Sequence, residues 1–193
     1  MSRFQLAAID LADAFTSLLG GDLGRQQRAL EDAPPFLAAQ LEFPYTEGLS
    51  FVCALQSAGG WDAVDAAYRE PPTTTAQVLF PERYAAGEGA VAVDPPSGPR
   101  GDGWRHVRTT TFGAADLLLL FEDAGLDDPR DRAGAWAGGT VAQYRDGDDV
   151  AVRIGLVQHE DADDLCASMR DWAATVEDAA VTCAGDRVSV AIG

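Results

Sequence analysis

The chain contains no lysine. Its 14 basic residues are all arginine, they face 31 acidic residues, and the formal net charge is -17. This imbalance restricts the fold and its solvent more than any motif does. A compact body with this charge repels itself in dilute buffer. In molar salt the Debye length falls to about 3 Å and most of that repulsion is screened. The acids divide into 22 Asp and 9 Glu, and short, strongly hydrated carboxylates keep such a surface in solution. Arginine brings a weakly hydrated planar fork that pairs with carboxylates. The pattern reads as adaptation to concentrated salt. A protein built to bind cations or basic partners would show clustered acidic runs, whereas here the acids are spread along the chain. The same charge argues against nucleic acid, because a phosphate backbone needs a basic stripe. The nearest candidate, Arg100, Arg105, His106 and Arg108, is short and carries Asp102.

With 193 residues, 47% of them hydrophobic, the chain can form one domain with its own core. A chain of this size buries roughly 70% of its unfolded surface and needs no disulfide or metal staple. Cys53, Cys166 and Cys183 have no metal-ligand spacing. Cys166 and Cys183 are close enough in sequence to pair, but the odd count favours cysteine as a small buried hydrophobe. No stretch approaches the ~18 apolar residues of a membrane span. Asp10 and Asp13 interrupt the apolar N-terminal stretch, which argues against a signal peptide. The expected location is the cytoplasm, or outside the cell if the chain belongs to a longer exported protein.

Hydrophobic spacing predicts an α+β fold, with a helical N-terminal half packed on a C-terminal antiparallel sheet of hairpins and an amphipathic helix. The expected division is a helical part over about 1–84, a loop over about 85–103 and an α/β part over about 104–193 of a single domain. Phe4, Leu11, Phe15 and Leu18 share one face of a helix over 4–19 that ends at Gly20-Gly21. A second helix covers 24–32. Residues 46–58 read as a helix capped by Thr46, followed by a short helix from Trp61 to Tyr68 and a brief one through Leu79. Trp104–Thr111 alternates as a strand. Gly113–Ala124 and Asp128–Trp136 read as helices. The strands TVAQYR and VAVRIGLVQ flank Asp146-Gly147-Asp148-Asp149, a strong hairpin signal. Asp161–Val176 is an acidic amphipathic helix with Leu165, Met169, Trp172 and Val176 on one stripe, and a second hairpin turns at Gly185-Asp186.

Several words occur in one order between residue 36 and about residue 145: LEFPYTEGLSFV, ALQSAGGWDAVDAAY, PPTTTAQVLFPERY, Trp104, FGAADLLLL and AGAWAGGTVAQYRDGD. This run, more than half of the chain, resembles the C-terminal region of a bacterial and archaeal family described as zinc peptidases. In that family an upstream segment carries HExxH and a later helical Glu, as in gluzincins. HExxH places two His one helical turn apart on the metal, with the Glu between them as general base. Here the only histidines are His106 and His159, and neither begins such a motif. The matching part also departs at polar positions. Phe80 stands where the family has His before Pro-Glu, Gly113-Ala114 where it has Gly-Glu, and Gly139-Thr140 where it has Gly-Asp. A buried polar group is costly to keep without a partner, so this joint loss fits a domain released from catalysis.

The remaining constellations have plainer readings. His159-Glu160-Asp161 with Asp163 and Asp164 holds metal-ligand residue types but reads as the acidic first turn of a helix. His106 reads as a surface or satisfied histidine. Asp146-Gly-Asp-Asp lacks the later bidentate Glu of a calcium loop. No serine sits in G-x-S-x-G, and nothing resembles a P-loop or a dinucleotide fingerprint. Tyr45, Glu47, Trp61, Glu82 and Tyr84 are the family-like residues that remain, and a ligand would be sought there first. Their other reading is packing: aromatics in the core, Glu47 as a helix-start charge, Glu82 paired with an arginine. The expectation is therefore a non-catalytic binding or structural module, with no catalytic residue, metal or cofactor. Its partners are unknown, neither nucleic acid nor membrane, with homo-oligomerisation open. The alternatives are a fragment or partner of a zinc metallopeptidase whose ligands lie on another segment, and a small-molecule-binding domain.

Overall fold

The computed structural model describes residues 35–160 and 164–193. The helices expected over 4–19 and 24–32 lie outside the described residues, as does the start of the helix expected from Asp161. The helical part comprises α1 (Pro35–Arg69), α2 (Thr75–Leu79) and α3 (Pro81–Ala85). The α/β part follows as β1 (Arg105–Thr111), α4 (Ala114–Asp123), α5 (Pro129–Ala133), β2 (Trp136–Asp146), β3 (Asp149–Gln158), α6 (Leu165–Ala173), β4 (Ala179–Ala184) and β5 (Arg187–Ile192). This is the expected α+β architecture, helices first and an antiparallel sheet after.

The five strands run in the order β1-β2-β3-β5-β4, every pair antiparallel. Both expected hairpins form. Asp146 pairs with Asp149, and Ala184 with Arg187, so each loop has two residues. Gly147 and Gly185 open those loops at φ 56° and 61°. Two-residue hairpins need that left-handed backbone, and glycine adopts it without a Cβ clash.

Strand alternation gives the sheet two differently covered faces. Ile154, Leu156, Val188 and Val190 point to the helices, where Leu117, Leu118 and Phe121 of α4 and Leu165, Met169 and Trp172 of α6 bury them. Ala142, Ala151 and Gly155 point the other way, beneath the segment that joins α3 to β1. That segment is strapped down by Val91 N to Ala137 O at 2.8 Å and by the Tyr144 hydroxyl to Pro96 O at 2.9 Å. A Cβ at Gly155 would sit 3.1 Å from Pro96 and 3.3 Å from Val93, so the strap needs glycine there to lie this close. The Gly- and Pro-rich stretch expected as a loop thus serves as the cover of one sheet face.

Two boundaries differ from the sequence expectation. The helix placed at 46–58 is part of α1, which runs unbroken through Pro44 and kinks only at Gly59-Gly60 (φ −146° and 67°). The Thr46 hydroxyl does not cap it, but donates to Glu42 O at 3.3 Å. Proline inside a helix removes one backbone bond. Tertiary anchors on both sides hold the helix through it: Phe43 packs on the main core, and Glu47 pairs with Arg130. The helix expected over 128–136 stops at Ala133, because Trp136 already pairs with Gln158 as the start of β2. Among described residues α6 starts at Leu165, with the Asp164 side chain accepting from Ala167 N at 3.1 Å.

The cysteine expectation is corrected as well. Cys166 on α6 and Cys183 on β4 form a disulfide with Cα atoms 6.1 Å apart, and Cys53 is exposed rather than buried. Docking the Leu165–Met169–Trp172 stripe on the sheet brings Cys166 within disulfide reach of the edge strand. No helix among the described residues is long and apolar enough to cross a membrane.

Candidate functional site

A groove of about 560 Å³ opens where α2 and α3 meet the start of β2 and the end of β3. Its first wall begins with a capping box. The Thr74 hydroxyl accepts from Gln77 N at 3.2 Å, and the Gln77 carbonyl oxygen accepts from Thr73 N and Thr74 N. Such a reciprocal cap satisfies donors that a helix start leaves open. The buried Gln77 amide then donates to Glu88 O at 2.9 Å, which fixes the turn after α3 against α2. Pro81 begins α3 at a position where its missing N–H costs nothing. Two residues on, α3 projects Arg83 into the groove.

Arg83 holds the two halves together. Its Nη1 donates to Trp136 O at 2.8 Å, its Nη2 donates to Gly134 O, and its guanidinium lies 5.2 Å from the Phe80 ring centre. The Glu88 carboxylate stands between Arg83 and His159, with Oε2 3.6 Å from Arg83 Nε and 3.3 Å from His159 Nε2. The backbone places His159, whose N–H donates to Ala135 O at 2.8 Å. The imidazole and carboxylate remain partly open, at 29% and 41% side-chain exposure, while Arg83 is at 13%. Trp136 closes the floor, with its indole N–H donated to Phe112 O at 2.8 Å.

This arrangement can orient a polar ligand through His159 and Glu88. The one hydroxyl on the lining, Thr74, is committed to the cap. Among the described residues no three His, Cys, Asp or Glu side chains are grouped to hold a metal ion. His159 does not belong to the first turn of α6, as its sequence neighbours suggested; it directly follows β3 and faces Glu88 across the groove.

The five family-like residues lie elsewhere, and none lines this groove. Tyr45 and Trp61 sit on α1 at 66% and 68% exposure, so neither is a core aromatic. Glu47 is in mid-helix and binds Arg130 of α5 at 2.6 Å. Glu82 is exposed in the first turn of α3 and joins none of the ion pairs among the described residues. Tyr84 is half-buried, donates its hydroxyl to Glu70 O at 2.8 Å, and meets Phe51 edge-on with ring centres 5.2 Å apart. Beside the Glu47–Arg130 pair, burial raises the Glu122 pKa above the ordinary glutamate value. The Glu47 charge adds to that rise and Arg130 opposes it. His106 shares a hydrogen bond of 2.8 Å with the Thr109 hydroxyl and packs edge-on to Tyr144.

Sequence reading missed Arg83 and Glu88. Arg83 lies inside the word PPTTTAQVLFPERY, but no local signal links it to a histidine at the far end of β3. The class that fold and groove define is an α+β domain with a five-stranded antiparallel sheet and a polar groove at the helix–sheet junction. No family model, curated protein or solved structure matches the chain.

Proposed function

We propose that the chain is a non-catalytic binding or structural module of a salt-adapted protein, related to the C-terminal part of the peptidase-like family that it resembles. The observation that carries this reading is the commitment of the groove's polar side chains to the fold. Arg83 holds two carbonyl oxygens, Thr74 caps α2, and Glu88 bridges Arg83 and His159. The three departures from the family words support it. Phe80 packs against the main core, Ala114 is fully buried, and Thr140 donates to Asp94 O at 3.4 Å. A glutamate in place of Ala114 would bring a charge into that buried site, at high cost without a partner.

The test is metal analysis and a peptide-hydrolysis assay on protein purified in molar salt. The expected result is neither stoichiometric zinc nor hydrolysis. Tightly bound zinc together with peptidase activity would overturn the reading.

The groove also favours a small-molecule reading, since its volume lies in the range of about 300–1,000 Å³ of ligand sites. A thermal-shift screen of small polar compounds in molar salt tests it. A shift abolished by His159→Ala and Glu88→Gln supports the groove as the site; a screen with no shift leaves the module structural. The Cys166–Cys183 bond supports an exported location over a cytoplasmic one, because disulfides persist in oxidising compartments. A mass-spectrometric thiol count on protein from its native cells would decide it.

A further inference from the structure

The helix-covered face of the sheet runs on past the helices. Ile154, Leu156, Val188 and Val190 are buried under α4 and α6, whereas Val141 and Val152 on the same face are only partly buried. Residues directly opposite each other in an antiparallel pair share a face, so the register traces this one outward. Gln143 stands opposite Val152, Arg108 opposite Gln143, and Thr110 opposite Val141. These five side chains line an open cradle of about 200 Å³ that shares no residue with the groove at Arg83 and His159. Two residues further along the strands, Arg145 stands opposite Val150, which is exposed, and Arg105 stands opposite Arg145.

Three arginines thus share one bare face of a chain whose net charge is -17. All three are exposed, and none joins an ion pair among the described residues, unlike Arg83, Arg130 and Arg132. Like charges directly opposite on paired strands destabilise a sheet, so the Arg105–Arg145 pair costs the fold rather than supports it. The nearest acids in sequence, Asp146 and Asp149, stand opposite each other on the other face, with Asp146 against Gly103 of the strap. All of β1 is exposed, at one edge of the sheet. Charged side chains on an edge strand discourage pairing with foreign strands, but that role needs neither Arg145 on the inner strand nor a floor of Val141 and Val152. We infer that this face docks an acidic peptide segment of a partner protein, with an apolar side chain on Val141 and Val152 and carboxylates on Arg105, Arg108 and Arg145. The inference rests on the binding-module reading and gives it a partner class. The arginine fork takes a carboxylate in direct contact, within the ~3 Å over which charges still act in molar salt. A nucleic acid fits less well, because a phosphate backbone has nothing for the apolar floor and the rest of the chain repels a polyanion.

Fluorescence anisotropy on the full chain in molar salt tests this, with a labelled peptide of Glu and Ser carrying spaced Leu residues. The expected result is saturable binding. Arg105→Gln combined with Arg108→Gln should weaken it at least about tenfold, the loss of one or more charge-assisted contacts. The same peptide with Gln for Glu, or with Ser for Leu, should also bind more weakly. Arg170→Gln on α6 should leave binding unchanged. The thermal midpoint of the Arg105→Gln chain should equal or exceed that of the unmutated protein, since a like-charge pair has gone; an arginine with only a structural role would lower it. Four results would overturn the inference: no binding to the unmutated chain, equal binding of the Gln peptide, displacement by single-stranded DNA as effective as by unlabelled acidic peptide, or a dimer that Arg108→Gln dissociates, which would give the face to a second copy. Zinc with peptide hydrolysis would sink the non-catalytic reading; a failure of this binding measurement sinks the docking face alone.

Discussion

The two hydrophobic clusters of this molecule are built in opposite ways. The larger draws buried residues from α2, α4, α6, β2, β3 and β5, and Phe121, Leu117, Leu165 and Met169 within it are fully buried. The smaller has three buried residues, Phe51, Leu55 and Val64, gathered where α1 folds back at Gly59-Gly60, with Val78 and Tyr84 leaning on it. The first is closed by many distant elements. The second is closed by one kinked helix and two short neighbours, α2 and α3, and the same helix still exposes Tyr45, Trp61 and Tyr68. Stability therefore concentrates under the sheet, and among the described residues most of the exposed large hydrophobic side chains lie on α1. The groove lies at the joint, because α2 gives Ala76 and Leu79 to one cluster and Val78 to the other.

Five measurements, by denaturation in molar salt, would break or sharpen that contrast. Phe121→Ala should cost about 4 kcal/mol, because a fully buried ring leaves a cavity that its packed neighbours cannot fill. A cost well below that would deny the larger cluster its dominance. Removing the Cys166–Cys183 bond as a Cys→Ala pair should cost about 3 kcal/mol for a loop of this length. Reductant on the unmutated protein should lower the midpoint by the same amount. Phe51→Ala should cost about 2 kcal/mol, below the usual Phe→Ala range, because its small cluster can relax. Its effect on hydrogen exchange should stay within α1; a cost equal to that of Phe121→Ala would mean one cooperative core.

Thr74→Ala should cost about 1 kcal/mol by opening the cap of α2. It should also loosen Glu88 from His159, read as a change in the His159 imidazole resonances. The smallest effect belongs to Glu122. Its folded-state pKa is raised, so the folded protein keeps this proton to higher pH than the unfolded chain does. The resulting stability is complete below the ordinary glutamate range and is lost as pH rises through the raised value. Glu122→Gln should remove that part of the pH dependence and slightly raise the midpoint at neutral pH. An unchanged pH profile would reject the burial and Glu47 effects as its cause.

Where the sequence was legible, the physics was local. The two hairpins follow from Gly147 and Gly185 between alternating strands, and α6 from the spacing of Leu165, Met169 and Trp172. Where it misled, a distant partner had decided. Thr46 reads as a helix cap, but α1 runs on through Pro44 because Phe43 and Glu47 are held to other elements on either side of it. Trp136 continues a helical pattern until its pairing with Gln158 makes it a strand. Of the candidate site residues, Glu47 and Tyr84 found partners in Arg130 and Glu70, neither of which a short window reveals.

From composition and periodicity alone came the expectation of a salt-rich solvent, the α+β class, the turns and the inward faces of the amphipathic elements. These depend on charge and on neighbours a few residues apart. Only the folded chain decided the Cys166–Cys183 bond, the strap across the sheet and the meeting of Arg83, Glu88 and His159. Each joins residues whose approach is settled by how whole elements dock, and loop closure over such separations leaves no periodic trace in the sequence.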